Sequence, residues 1–385
     1  MNSKICSDIL KAISPTLNYE VGHISSIPLI FPDHQNQIIE LVKNNIFLAK
    51  KDWDYQETSW YFKNNPILTF KNKFIQKSCL EFEHMKKEMF AQMKKNEIEL
   101  NNQIMKIYDF KNEFFEIEDK DISINLINLK EEIKSFISYF VGCLFGRYSL
   151  DENGLIFAGG EFDFSKYVKS VKDKDGMFLI PDNDNIVPIL DSEYFEDDIV
   201  KTFEKFLKLT FSEDTLEENL EFIAKAIGVK GKTNREIIRN YFLNNFFKDH
   251  VKTYKKTPIY WLFDSGKNNG FKALIYMHRY RSDLVARVRT DYLHKTQKAM
   301  EIAIENNESI IQNSSNNKEI ANATKEKNKL LKQLEETREY DEALAHIANQ
   351  QIEIDLDDGV KVNYEKFQNV EIDKSKKKIN LLKKT

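Results

Sequence analysis

Cysteine is scarce in this 385-residue chain, which has only Cys6, Cys79 and Cys143. The three lie far apart, and none belongs to a CxxC or cysteine–histidine spacing typical of a zinc site. The sequence therefore predicts no metal centre. An odd number of isolated cysteines is typical of a reducing compartment, so we expect a cytoplasmic protein.

Long hydrophobic runs are also missing. The most apolar stretch, residues 133–145, is too short for a bilayer and carries Lys134. The first eight residues do not have the charged start and apolar core of a signal peptide. The sequence thus predicts no membrane association.

No catalytic motif is recognisable, and two partial matches fail on spacing. Gly231-Lys232-Thr233 resembles the end of a phosphate loop, but Ala226 stands where that loop needs glycine and a helical pattern precedes it. Residues 182–185 resemble a calcium loop, but Ile186 and Val187 occupy positions that need an oxygen ligand and a glycine. We predict no catalytic and no cofactor-binding residue in this chain.

Charge is abundant but balanced. Charged residues make up 31% of the chain, and the net charge is −4, so any surface for a polyanion must be local. Residues 248–295 hold eleven Lys or Arg against four Asp or Glu. Cations at this density favour phosphate contact, although solvated surface charges would give the same pattern. The predicted DNA-binding residues are Lys255, Lys256, Lys267, Arg279, Arg281, Arg287 and Arg289.

The same region contains two apolar, aromatic-rich runs, residues 258–263 and 271–277, around a Gly/Asn turn. They predict a hairpin. Aromatic rings can stack on unpaired bases. Because the first run is continuous rather than alternating, Tyr260, Trp261 and Phe263 are expected to fill a core instead.

The predicted fold is mainly α-helical with a small mixed β-sheet, an α+β class. Ile38, Leu41, Val42 and Ile46 indicate a helix capped by Asp33, and a Phe/Met stripe in residues 81–112 indicates another with a buried face. Strands are expected at 154–162, 177–181, 258–263 and 271–277. Residues 279–312 and 319–350 predict a long antiparallel helix pair. Residues 351–360 alternate like a strand, and Lys374–Lys378 predicts a frayed basic end.

Six segments carry a resemblance to a known family. Residues 256–280, with the sequence KTPIYWLFDSGKNNGFKALIYMHRY, resemble the C-terminal region of the PglX family, the adenine-specific DNA methyltransferases of BREX phage-defence systems. Residues 146–163, 180–200, 236–250, 286–294 and 338–364 resemble the same region. The resemblance implies membership in such a defence system and a partnership with double-stranded DNA.

The sequence departs from that family where the chemistry would lie. The family transfers methyl groups from S-adenosylmethionine and uses an Asn-Pro-Pro-aromatic loop, whereas Asn64-Asn65-Pro66-Ile67 lacks the second proline and the aromatic residue. The first residues resemble the last elements of the family's target-recognition domain. We therefore expect a truncated or split product, inactive alone and without cofactor. The partners that the resemblance implies are an upstream methyltransferase half or other BREX proteins.

These patterns predict five segments. They are a target-recognition remnant (1–33), a helical region (34–150), an α+β domain with the aromatic hairpin (151–290), a helical hairpin (291–350) and a strand/turn with a basic tail (351–385). The leading hypothesis is DNA clamping and complex assembly. The alternatives are a module that docks other BREX proteins without touching DNA, or an inert remnant of a split gene.

Overall fold

The computed structural model describes residues 3–14, 16, 18–32, 35–109, 116–167, 179–372 and 377–385. The chain forms two compact units. Unit 1 comprises residues 1–62 and 77–128, and unit 2 comprises residues 63–76 and 129–385. Across the described ranges, no helix has both the length and the apolarity to cross a membrane. The division into five segments stays a prediction.

Unit 1 is built from four α-helices in its described residues. The first two residues of the longest helix belong to the unit 2 segment 63–76, and the rest belong to unit 1. The helices are α1 (Lys4–Ile13), α2 (Val21–Ser25), α3 (Gln35–Trp53) and α4 (Ile75–Ile107). The predicted Phe/Met stripe on α4 is confirmed as core, because Phe82, Met89 and Met93 are buried. The proposed cap Asp33 lies outside the described residues.

Unit 2 contains most of the helices. They are α5 (Leu129–Leu144), α6 (Ile199–Thr210), α7 (Leu216–Ile227), α8 (Asn234–Tyr241), α9 (Phe247–Thr253), α10 (Leu284–Arg287), α11 (His294–Asn313), α12 (Asn317–Gln350) and α13 (Gly359–Glu365). Single π-helical segments, Phe242–Phe246 and Val288–Leu293, join α8 to α9 and α10 to α11. Such π segments are frequent at functional sites.

Two small antiparallel sheets complete unit 2. Strands β1 (Val187–Pro188), β2 (Tyr260–Asp264) and β3 (Lys272–Tyr276) lie in the order β1–β3–β2. Strands β4 (Val370–Glu371) and β5 (Lys378–Ile379) form the second sheet. The mainly helical α+β class is confirmed, although the strand pairings described are antiparallel and not mixed.

The aromatic hairpin forms the centre of unit 2. Every residue of β2 and β3 is buried, and Tyr260, Trp261 and Phe263 are completely so. The Trp261 indole N–H donates to the carbonyl of Pro258 at 3.0 Å, which satisfies its polar atom in the core. The prediction that these rings fill a core and do not bind bases is confirmed.

The predicted helix pair is also confirmed as antiparallel. Met300 and Ile304 of α11 pack against Leu330 and Leu334 of α12. Ion pairs join Glu301 to Arg338 and Glu308 to Lys327, at 3.0 and 2.8 Å, so sequence numbers rise along one helix as they fall along the other.

Several predicted boundaries are wrong. Residues 154–162 form bends and coil because Gly154, Gly159 and Gly160 take positive φ angles. The helix expected from Arg279 begins at Leu284, since a 3₁₀ turn ends at Tyr280 in extended backbone. Residues 351–360, expected as a strand running into a turn, form coil, a 3₁₀ turn (Leu356–Asp358) and the start of α13. Of the strand expected at 177–181, the described residues 179–181 are coil, and of the frayed end expected at Lys374–Lys378, Lys378 instead lies in β5. Residues 168–178 and 373–376 lie outside the described ranges.

Candidate nucleic-acid interface

Helix α12 fixes the turn between β2 and β3 through one carboxylate. Glu336 accepts hydrogen bonds from the Ser265 hydroxyl at 2.8 Å and from the backbone N–H groups of Asn268 and Gly270 at 2.8 and 3.1 Å. The Ser265 hydroxyl in turn accepts from the N–H of Phe271 at 2.8 Å. Hydrogen bonds from neutral donors to a charged acceptor are stronger than neutral pairs, so this turn is held firmly.

The close approach of turn and helix requires glycine. A Cβ atom at Gly270 would lie 2.7 Å from the carbonyl oxygen of Gln333, and Gly266 has a φ of 142° beside Glu336. Gln333 also donates from Nε2 to the carbonyl of Asn268 at 3.1 Å. The turn therefore lies directly against α12 and presents Lys267 to solvent.

A basic groove of about 710 Å³ lies where this turn meets α12. Its lining residues, which we call the lysine groove, are Asn268, Ala321, Thr324, Lys325, Asn328, Lys329 and Lys332. The α12 members recur at helical spacing along one face. Lys267 is the residue next to Asn268 in the turn.

The three groove lysines differ in charge environment. Lys329 pairs with Asp191 at 2.6 Å and Glu326 at 3.4 Å. Burial alone would lower its pKa, but the hydrogen bond and charge of Asp191 raise it. Lys325 and Lys332 are exposed and, within the part of the chain that the structure describes, have no ion-pair partner. Their ammonium groups are therefore available to bind an external anion.

The structure does not gather the predicted DNA-binding residues at one place. Lys255 and Lys256 precede β2, whereas Lys267 follows it, so they lie beyond opposite ends of a five-residue strand, which itself spans about 17 Å. Lys255 and Lys256 are exposed, with φ of 50° and 66°. All three lysines are without ion-pair partners among the described side chains.

Arg279 is committed to internal contacts. Its guanidinium lies 3.8 Å from the ring centre of Phe162 and donates to the carbonyls of Phe145 and Asn183, both at 3.3 Å. Burial lowers the pKa of Arg279, against the raising effect of Asp182. This side chain holds segments of unit 2 together.

Two further predicted arginines also have internal partners. Arg287 pairs with Asp184 at 3.1 Å and with Asp291 at 3.7 Å. Arg289 forms a two-pronged contact with Asp341 of α12, at 2.8 and 3.2 Å. Arg281 is different, because its side chain is largely exposed and its ion pair with Asp283 is long at 3.9 Å. Their role in DNA binding stays a prediction.

Sequence reasoning missed Lys325 and Lys332. The signal was present as lysines seven residues apart on a predicted helix, but it was indistinguishable from any solvated helical face. Only the docking of the hairpin turn identifies that face as part of a groove. In the described ranges, no group of three or more His, Cys, Asp or Glu side chains is arranged to hold a metal ion.

Fold and groove together define a helical protein region with a localised cationic surface. No family model matches the chain. It is 41% identical over 384 residues to the adenine-specific methyltransferase PglX of Lacticaseibacillus casei (strain Zhang), a match covering 96% of this chain. It is 35% identical over 390 residues to the adenine-specific methyltransferase BrxX of Escherichia coli O9:H4 (strain HS), covering 95% of this chain.

The chain is thus related, along nearly its whole length, to adenine-specific methyltransferases of the PglX and BrxX type, and the predicted resemblance is confirmed. The matches cover 30% and 32% of those two proteins. The chain thus spans about a third of the length of each of these two relatives.

Proposed function

We propose that this chain is a non-catalytic region of a PglX-type adenine-specific DNA methyltransferase that clamps double-stranded DNA. The lysine groove and Lys267 contact the phosphate backbone. The observation that carries the proposal is the presence of three exposed, unpaired lysines, Lys267, Lys325 and Lys332, at one helix–turn junction. Both relatives are adenine-specific methyltransferases, and because adenine is a nucleic-acid base this specificity supports a nucleic acid as the partner.

The spacing of the lysines suits a polyanion. Lys325 and Lys332 are seven residues apart on α12, which corresponds to about 10 Å along the helix axis. Duplex DNA carries a charge about every 1.7 Å, so about six phosphate charges fall within that length. The binding is expected to be independent of base sequence, because phosphate contacts position a protein without specifying a site.

The rigidity of the turn also favours phosphate binding. Glu336 and Gln333 fix the backbone that carries Lys267, so less conformational entropy is lost when that lysine meets a phosphate. Binding of S-adenosylmethionine and methyl transfer are assigned to the remainder of the methyltransferase. The protein partners proposed for this chain are an upstream methyltransferase half or other BREX proteins.

A salt series on duplex DNA tests the proposal. The chain is titrated with a labelled duplex by fluorescence anisotropy at several salt concentrations. Replacing Lys267, Lys325 and Lys332 by alanine should weaken binding and reduce the salt slope by about 2–3, because each phosphate contact contributes about 0.9.

A matched control removes the same charge from unit 1 through Lys11→Ala, Lys87→Ala and Lys120→Ala. These lysines are exposed and belong to surface ion pairs, which contribute little to stability. If the control lowers the salt slope as much as the groove variant, the attraction is general and the groove is not the binding surface.

A further inference from the structure

Helix α3 of unit 1 exposes an apolar face. Ile39, Val42, Ile46 and Trp53 follow one another at intervals of three, four and seven residues, which places them on one side of the helix. Each is between 40% and 62% exposed. Exposed apolar groups that are contiguous and not scattered mark interaction surfaces.

The buried side of α3 combines apolar and polar residues, and Ala49 packs there with Leu48. Its buried residues are Asn45, Leu48 and Asp52. Asn45 donates to Glu97 at 2.7 Å and accepts from Asn96 at 2.8 Å, while Asp52 pairs with the buried Lys86 of α4. A surface helix normally turns its apolar side to the core and polar residues to water, so the additional exposed apolar stripe of α3 is unusual for a helix whose outer face stays in water.

Aromatic side chains extend this face. Phe47 is also exposed, and Lys50 lies on the same side of α3 as Ile46 and Trp53, with Nζ 4.4 Å from the ring centre of Tyr61. Trp60 is 99% exposed. Tryptophan and tyrosine are enriched among residues that dominate binding energy in protein interfaces. We call Ile39, Val42, Ile46, Phe47, Trp53 and Tyr61 the α3 patch.

The two methyltransferase relatives indicate what could cover the α3 patch. Both carry this region together with roughly twice as much other polypeptide, since the matches cover only 30% and 32% of their lengths. A partner surface in the same chain is present at high effective concentration. We infer that the α3 patch packs against polypeptide equivalent to the part of the PglX-type relatives that this chain does not match.

The chemistry of the patch favours a protein over a nucleic acid. Ile39, Val42 and Ile46 present aliphatic carbon, which gains by burial against another apolar surface but contributes nothing to phosphate contact. Lys43 on the same face is paired with Glu40 at 3.3 Å. The inference does not depend on the DNA contacts of the lysine groove, because the two surfaces belong to different units.

A binding titration tests the inference. The chain is mixed with the unmatched region of the Lacticaseibacillus casei relative, made as a separate polypeptide, and association is measured calorimetrically. The variant Ile46→Asp with Trp53→Asp should bind at least tenfold more weakly. Both side chains are more than half exposed, so circular dichroism should show the variant as folded as the parent.

The matched control places the same charges on another helix, through Ile302→Asp and Ile310→Asp of α11, which are also exposed. It should bind like the parent. The inference is overturned if the parent does not bind, or if the α3 variant binds as tightly as the parent. Loss of self-association in sedimentation would instead assign the patch to a second copy, and loss of DNA affinity would assign it to nucleic acid.

Discussion

Glu336 of α12 accepts a hydrogen bond from the backbone N–H of Gly270, across 66 positions in sequence, at 3.1 Å. This contact joins the hairpin turn to the helix pair. It holds the turn that carries Lys267 and Asn268 against α12, and the lysine groove lies at that junction. The groove is thus a product of turn docking and not of either element alone.

The first prediction concerns the space at Gly270. Replacing it with alanine should lower the free energy of unfolding by roughly 1–3 kcal/mol, because the new Cβ would meet the Gln333 carbonyl oxygen at 2.7 Å. Urea denaturation measures the change. Gly22→Ala is the control, since it lies in helix α2 with open space around it and alanine favours helices. Equal effects at the two sites would contradict the docking argument.

The second prediction separates structural arginines from exposed ones. Arg289→Ala should destabilise unit 2 by about 1–3 kcal/mol, because it leaves Asp341 without its two-pronged partner. Its salt slope for DNA should not change. The exposed Arg281→Ala should be nearly neutral for stability. A reduced salt slope for Arg289→Ala, without loss of stability, would restore that residue to the DNA interface.

The third prediction is a pH dependence that arises from His250. Its Nε2 accepts from the N–H groups of Ile259 and Tyr260, both at 3.1 Å, and burial followed by the charge of Arg147 lowers its pKa to about 3. The unfolded chain, with a histidine pKa near 6.5, binds the extra proton first. Stability contributed by neutral His250 is therefore complete above about pH 6.5 and is lost as the pH falls towards 3.

Urea denaturation of the parent and of His250→Gln at pH 7.5 and pH 5 checks this. Between these values the parent should lose on the order of 2 kcal/mol more than the variant, because glutamine does not titrate. Parallel losses in both proteins would show that His250 does not stay neutral in the fold.

The fourth prediction is that the chain alone transfers no methyl group. It is incubated with duplex DNA and S-adenosylmethionine labelled in the methyl group, and label in the DNA is counted. Calorimetry should also detect no binding of the methyl donor. Incorporation above background by pure protein would show that the catalytic machinery is present and that the non-catalytic assignment is wrong.

The sequence predicted the hairpin well because its signal is local. A continuous apolar run such as residues 258–263 has no hydrophilic face, so it can only be buried on both sides. The helix pair was predicted for a similar reason, since each helix shows its own apolar stripe. The boundaries at Leu284 and Gly359 were missed because turns there depend on contacts that periodicity does not encode.

The α3 helix shows the limit of periodicity. Its apolar positions Ile38, Leu41, Val42 and Ile46 predict a helix correctly, but the structure leaves Val42 and Ile46 exposed and buries Asn45 and Asp52. Asn96 and Lys86 of α4 provide the polar partners that make this burial possible. No pattern within residues 35–53 contains that information.

The sequence by itself determined the relationship to adenine-specific methyltransferases, the mainly helical class, and the buried aromatic hairpin. Tertiary structure decided which cations are available. Arg279, Arg287 and Arg289 contact carbonyls, rings and carboxylates from distant segments, whereas Lys267, Lys325 and Lys332 are exposed to solvent. A charge is available to a ligand only if the fold leaves it unpaired, and pairing across tens or hundreds of residues is set by packing and not by local sequence.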